Sequence, residues 1–240
     1  MKLLHTLGHL QLVATETPTQ PLFTGPKPLL LLTYLALEGP TTRRHLAELF
    51  FAQHPDPLDN VSATVRRLRQ VDESVLISDG PELICGVRCD YTETLHAIGI
   101  GSVDIALDLY RGSFLRRADV SVSGAEFESW AYQKRSELAE ALRTCLIENA
   151  ELSCVRRRPR DAGRFAEQAW LLPGADEPTL ELLARLHGVM LALQHPREAE
   201  VRREARRSAL RSAAGSLLNQ LQKTNMMAMY SRLCSNWSAR

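Results

Sequence analysis

The chain has 240 residues, 29 Lys and Arg against 28 Asp and Glu, and a net charge of +1 at pH 7. That length suits one large domain or two small ones, and an apolar share of 45% is ordinary for a globular fold. The longest apolar stretch, Leu29 to Leu37, is broken by Thr33 and ends at Glu38-Gly39, far short of the ~20 residues of a membrane span. Met1-Lys2-Leu3-Leu4-His5 has no long apolar core of a leader peptide, so a cytoplasmic protein without a membrane contact is expected.

In chain order, Leu10 and Leu12 alternate with polar residues after the turn residue Gly8, which predicts paired strands over residues 2–13. Thr15 to Pro28 is rich in Thr, Pro and Gly and reads mostly as loop, with one short strand near Leu22-Phe23. Pro28 opens a helix that is apolar nearly all round, and Gly39-Pro40 stops it. Thr41 or Thr42 caps a second helix, with Leu46, Leu49 and Phe50 on one face. Gln53-His54-Pro55-Asp56-Pro57 is a loop. A third helix runs from about Leu58 to Val71, with Val61, Val65 and Leu68 as its inner stripe. Val75-Leu76-Ile77 and Leu83-Ile84-Cys85 flank Asp79-Gly80, a strong hairpin signal.

Beyond Asp90 the strand signals vanish. Helices are expected near 91–98, 102–110, 124–154, 160–171, 177–193, 196–212 and 214–234. Helix pairs about 35 residues apart suggest tetratricopeptide-like hairpins. The predicted fold is mainly α with a small β component. A winged helix-turn-helix over residues 1–90 is followed by a tetratricopeptide-like helical domain over residues 91–240.

In a winged helix the third helix enters the major groove and the hairpin wing reaches the neighbouring backbone. Opposite Val61, Val65 and Leu68, the third helix places Asp59, Ala63, Arg66 and Gln70, flanked by Asn60 and Arg67 on one side and Ser62 and Arg69 on the other. Arginine forks onto guanine edges or phosphates, Asn and Gln pair with adenine, and small residues permit close approach. From Asn60 to Val71 there is no acidic residue, although residues 1–100 hold eight Lys and Arg against eleven Asp and Glu. Double-stranded DNA is therefore the expected partner, gripped by a local patch. Arg43 and Arg44 open the second helix, where backbone N–H groups attract phosphate. Arg88 is the strongly basic side chain of the wing. An ordinary solvated helix face is the competing reading of Arg66, Arg67 and Arg69. On that reading the chain would be a protein-interaction module: its helical repeats would form the binding groove, and its winged helix would have lost DNA.

Nothing points to catalysis. The seven histidines are scattered, with no His-Glu-x-x-His pair and no recognisable nucleophilic triad. Cys85 and Cys89 lack a second pair at metal spacing, and no metal or cofactor is expected. Arg156-Arg157-Arg158-Pro159-Arg160 marks an inter-helix turn that solvation explains well enough. Arg202 to Arg211 alternate with Glu198, Glu200 and Glu204, as intrahelical ion pairs would.

Several stretches together resemble the bacterial transcription activators of the SARP type. Leu4 to Leu12 is similar to the family's opening strand motif, Lys27 to Leu37 to its first helix, Thr42 to Phe50 to its second, and Asn60 to Arg69 to its recognition helix. The most specific likenesses are Ala106-Leu107-Asp108-Leu109-Tyr110-Arg111-Gly112-Ser113-Phe114-Leu115, which resembles the opening of the family's activation domain, and Glu126-Phe127-Glu128-Ser129-Trp130 with Arg135 and Leu138, which resembles the long helix that follows. The resemblance implies tetratricopeptide-like packing, promoter binding as a pair of protomers on direct repeats (hence a homodimer), and contact with RNA polymerase through the loop Gln53 to Pro57. There is no Gly-rich phosphate loop, so the ATPase module of larger relatives is not expected.

Overall fold

The computed structural model describes residues 2–212. The helix expected over 214–234 and Cys234 lie outside the described residues. Those described form two compact units, one reaching to Asn149 and including Leu171–Asp176, the other made of Ala150–Trp170 and the residues from Glu177 on. The fold is mainly α with a small β component: a winged helix-turn-helix followed by tetratricopeptide-like helices.

The first unit opens with β1 (Lys2–His5), β2 (Gln11–Ala14) and β3 (Thr17–Phe23). β1 pairs antiparallel with β2, with Leu4 opposite Leu12, and both leucines are fully buried. The strand near Leu22-Phe23 proves longer than the sequence suggested. Pro18 and Pro21 cannot donate to a ladder, which makes the segment read as loop. β3 tolerates them as the edge strand of the order β3-β2-β1-β7, where its register against β2 shifts twice.

α1 (Pro26–Glu38) begins two residues before the expected start, again at a proline. Its Leu29 to Leu32 are all at 0% exposure, so this helix is the centre of the core. β4 (Thr41–Thr42) leads into α2 (Arg43–Phe51), and Thr42 caps it by accepting from the His45 N–H at 3.3 Å. α3 (Pro57–Val71) follows a short loop. Its Val61, Val65 and Leu68 are buried as expected, together with Thr64. The wing is formed by β5 (Leu76–Asp79) and β6 (Glu82–Cys85), which turn at Gly80-Pro81. β4 joins them to complete a three-stranded sheet. β7 (Arg88–Cys89) returns to lie parallel to β1.

α4 (Asp90–Gly99) and α5 (Val103–Leu109) come next, then an irregular stretch over 110–124, then α6 (Ala125–Val155). The stretch Tyr110 to Leu115 docks on the turn after β1. The Leu115 N–H donates to the Thr6 carbonyl at 2.9 Å, and the Gly8 N–H donates to the Ser113 carbonyl at 3.3 Å. Gly8 has φ +89°, and a Cβ there would meet the Arg111 carbonyl oxygen at 3.1 Å. Phe114 is fully buried against Tyr91, with ring centroids 4.9 Å apart. Arg135 of α6 clamps the same stretch by donating to the Phe114 carbonyl at 2.7 Å. Phe127 and Trp130 stack 5.0 Å apart and reach Phe50 and Tyr34 of the winged helix. The residues of the most specific motifs are thus the glue of this unit.

In the second unit, α7 (Pro159–Trp170) packs on α8 (Leu180–Ala192), and a further helix covers 198–212. Ala162, Ala166 and Ala169 are buried on one face of α7, where small side chains let helices approach closely. Arg185 forks onto Glu151 at 2.9 and 2.7 Å, and Arg197 meets Glu167 at 2.9 Å.

Candidate nucleic-acid interface

The outer face of α3 is built by its inner stripe: once Val61, Thr64, Val65 and Leu68 are buried, the remaining positions must face outward. Arg66, Arg67 and Gln70 are exposed. Among the described residues neither arginine has a hydrogen bond or an ion-pair partner. Both are long, permanently charged donors held on a rigid helix.

The other expected residues divide by what they already hold. The half-buried Asn60 donates its side-chain amide to the Asp56 carbonyl at 2.9 Å, which tightens the first turn of α3. The Ser62 hydroxyl folds back on the Leu58 carbonyl at 3.0 Å. Ala63 is half-buried and leaves the helix surface low beside Arg66 and Arg67. Arg69 is half-buried and turned to the wing, donating to the Leu76 carbonyl at 3.0 Å and to the Ser78 hydroxyl at 2.7 Å. Arg69 therefore fixes the angle between α3 and the hairpin, a different task from reading a base.

Arg43 reaches the same Ser78 Oγ from the start of α2, at 3.1 Å. Two guanidiniums thus share one neutral oxygen, and among the described residues neither has a carboxylate partner, which leaves guanidinium donors for a phosphate contact. Arg44 pairs with Glu48 one turn on at 3.0 Å in a fully solvated position, so it is readily released. Arg88 is bonded to Glu93 of α4, which ties β7 to that helix.

Three features were missed by sequence reasoning. Ser78 stands 9 residues from Arg69 and 35 from Arg43, and no local pattern announces that meeting. Glu73 borders a shallow cleft of about 490 Å³ along α3 with Ser62, Arg66, Arg69 and Gln70. It places a negative charge just past the basic run. Asp90, at 1% exposure, accepts from the main-chain N–H groups of Thr6 at 2.8 Å and Leu7 at 3.1 Å and from the Thr6 hydroxyl at 2.6 Å. It anchors the first strand to α4. An Asp at a helix start is a recognisable cue, but its partners 84 residues away are not.

Burial pushes the Cys85 thiol up to about 11, and burial with the neighbouring Asp90 charge pushes Cys89 higher still. Both are held as neutral thiols, Cys85 donating to the Val87 carbonyl at 3.5 Å. Among the described residues no three His, Cys, Asp or Glu come together as a metal would require, and no helix is long and apolar enough to cross a membrane.

The fold and this face define a winged helix-turn-helix with a basic outer surface on its third helix. No family model matches the sequence, and no curated protein matches it. A solved structure similar to the chain is that of EmbR from Mycobacterium tuberculosis in complex with a low-affinity phosphopeptide. It covers 90% of this chain and 70% of that one, at 17% identity and a TM-score of 0.40.

Proposed function

We propose that the protein is a sequence-specific DNA-binding transcription regulator of the SARP type, acting in the cytoplasm as an activator and not as an enzyme. The observation that carries this reading is the pair Arg66 and Arg67, exposed on the outward face of α3 and without partners among the described residues. In a winged helix that face meets base edges in the major groove. Arg43 and Ser78 would hold the backbone beside it, with Arg69 fixing the wing. Gln53, His54, Pro55 and Asp56 are exposed between α2 and α3, where the resemblance puts an RNA polymerase contact. Binding as two protomers on direct repeats belongs to the same reading.

The direct experiment is selection from a random duplex library at about 0.1 M salt. Enrichment of a short motif, repeated in the same orientation, is the expected result. A second reading, a protein-docking module, is favoured by Glu73 beside the basic run and by exposed Leu95 on α4, Ile105 on α5 and Ile100 in the turn between them. A folded sample that binds no duplex even at low salt would decide for it.

A further inference from the structure

The turn between α6 and α7 reads Arg156-Arg157-Arg158-Pro159-Arg160, and all five residues are exposed. We propose that its four arginines grip the phosphates of duplex DNA without regard to sequence, a contact separate from α3 that presupposes the DNA-binding reading above.

The turn is fixed in shape. The N–H groups of Arg156, Arg157 and Arg158 donate to the carbonyls of Leu152, Cys154 and Ser153 at 2.9, 3.0 and 2.8 Å. This is a common way to end a helix, and its left-handed position is usually glycine. Here Arg157 takes that position, at φ +56°. Nothing inside the chain offsets the strain: among the described residues none of the four guanidiniums has a hydrogen-bond or ion-pair partner. Glu151 forks onto Arg185, and Asp161 in the first turn of α7 subtracts one charge from the four. A turn that only needed solvating would not require arginine where glycine fits freely. A fixed turn also orders little on binding.

The composition of the patch selects its partner. A protein interface is centred on apolar and aromatic anchors, with charges at its rim. Residues 156–160 are four arginines and a proline, with Val155 at their border. A DNA interface is polar and strongly basic, and guanidiniums fork onto phosphate oxygens. The winged helix needs such help. Its first hundred residues hold eight Lys and Arg against eleven Asp and Glu, so its wider field opposes a polyanion and only the local face of α3 attracts one.

The test is fluorescence anisotropy of a labelled random-sequence duplex titrated with the full chain, repeated from about 0.05 to 0.2 M salt. Each phosphate neutralised adds ~0.9 to the slope of log affinity against log salt. Replacing Arg156, Arg157, Arg158 and Arg160 together by Gln should lower that slope by about 3 and leave the melting temperature within a degree or two. Arg157→Gly should lower the slope by about 1 while the melting temperature rises, because glycine relieves the strained position; loss of fold then cannot explain weaker binding. A quadruple variant whose slope changes by less than about 1 would overturn this contact, even if a specific motif is still enriched by the wild type. A wild type that binds no duplex overturns this contact and the regulator reading together. Random-duplex binding that the quadruple variant loses, with no motif enriched, would uphold the contact and sink the sequence-specific reading. Poly-glutamate that binds more tightly than the duplex, through the same four arginines, would assign the turn to an acidic protein instead.

Discussion

Replacing Asp90 by Ala tests how the first strand is held to α4. The Asp90 carboxylate satisfies three donors that no water reaches: the Thr6 N–H at 2.8 Å, the Thr6 hydroxyl at 2.6 Å and the Leu7 N–H at 3.1 Å. Thr6 and Leu7 are at 0% and 1% exposure. Alanine leaves all three buried and unpaired, at about 1–2 kcal/mol each, so the variant should lose about 3–6 kcal/mol. Against a total of ~5–15 kcal/mol for a typical domain, that brings the unit close to unfolding at room temperature. Asp90→Asn keeps one accepting oxygen but turns an amide toward a donor, and should fall between. The assay is urea unfolding followed by tryptophan fluorescence, with Trp130 reporting the aromatic cluster on which α6 packs. A loss below about 1 kcal/mol for Asp90→Ala would refute the reasoning, because it would mean that these donors find water.

Three further outcomes follow from the same contacts. Arg69→Ala should cost about 1–2 kcal/mol and speed amide exchange in β5 and β6, since it frees the Leu76 carbonyl and Ser78; Arg69→Lys should restore little, because an ammonium cannot fork to both. Gly8→Ala should lower the melting temperature more than Gly39→Ala. Both have positive φ, but only at Gly8 would the Cβ meet backbone, at 3.1 Å. For Glu38, burial disfavours the charge, but hydrogen bonds from Trp130 and Lys134 outweigh it and hold the pKa below 4.5. A carboxyl lowered in the folded state stabilises above its unfolded value and loses that contribution as pH falls through the folded one. The stability advantage of wild type over Glu38→Gln should therefore be full above pH 4.5 and vanish on further acidification, as read from melting temperatures along a pH series.

Most of the winged helix was legible because its elements obey local rules. Proline at the start of α1 and a threonine cap on α2 are written in the sequence, as are the 3.6-residue stripe of α3 and the wing turn marked by Asp79-Gly80-Pro81, which closes at Gly80-Pro81. β3 was shortened because two prolines mask a strand that survives only at a sheet edge. β4 and β7, two residues each, owe their existence to partners far along the chain, Thr41 to Leu83 and Leu3 to Arg88. The outward face of α3 was likewise readable from periodicity, so Arg66, Arg67 and Gln70 stand where expected. What periodicity could not supply is which polar groups are already occupied. Arg69 sits on the same flank as Ser62, yet its reach to Ser78 depends on where the wing folds. The motif Tyr110 to Leu115 resembles a family signature in sequence, and its physical content emerged only with the backbone bonds to Thr6 and Gly8.

The central claim is that α3 reads DNA through side chains that do no work in the fold. Binding of Arg66→Ala/Arg67→Ala to the duplex enriched by the wild type tests it most directly, with the melting temperature of each protein measured in the same buffer. A specific affinity lowered by at least tenfold, as loss of a bidentate base contact implies, with the melting temperature unchanged within a degree or two, is the predicted result. Undiminished affinity, or a double variant that no longer folds, would contradict it.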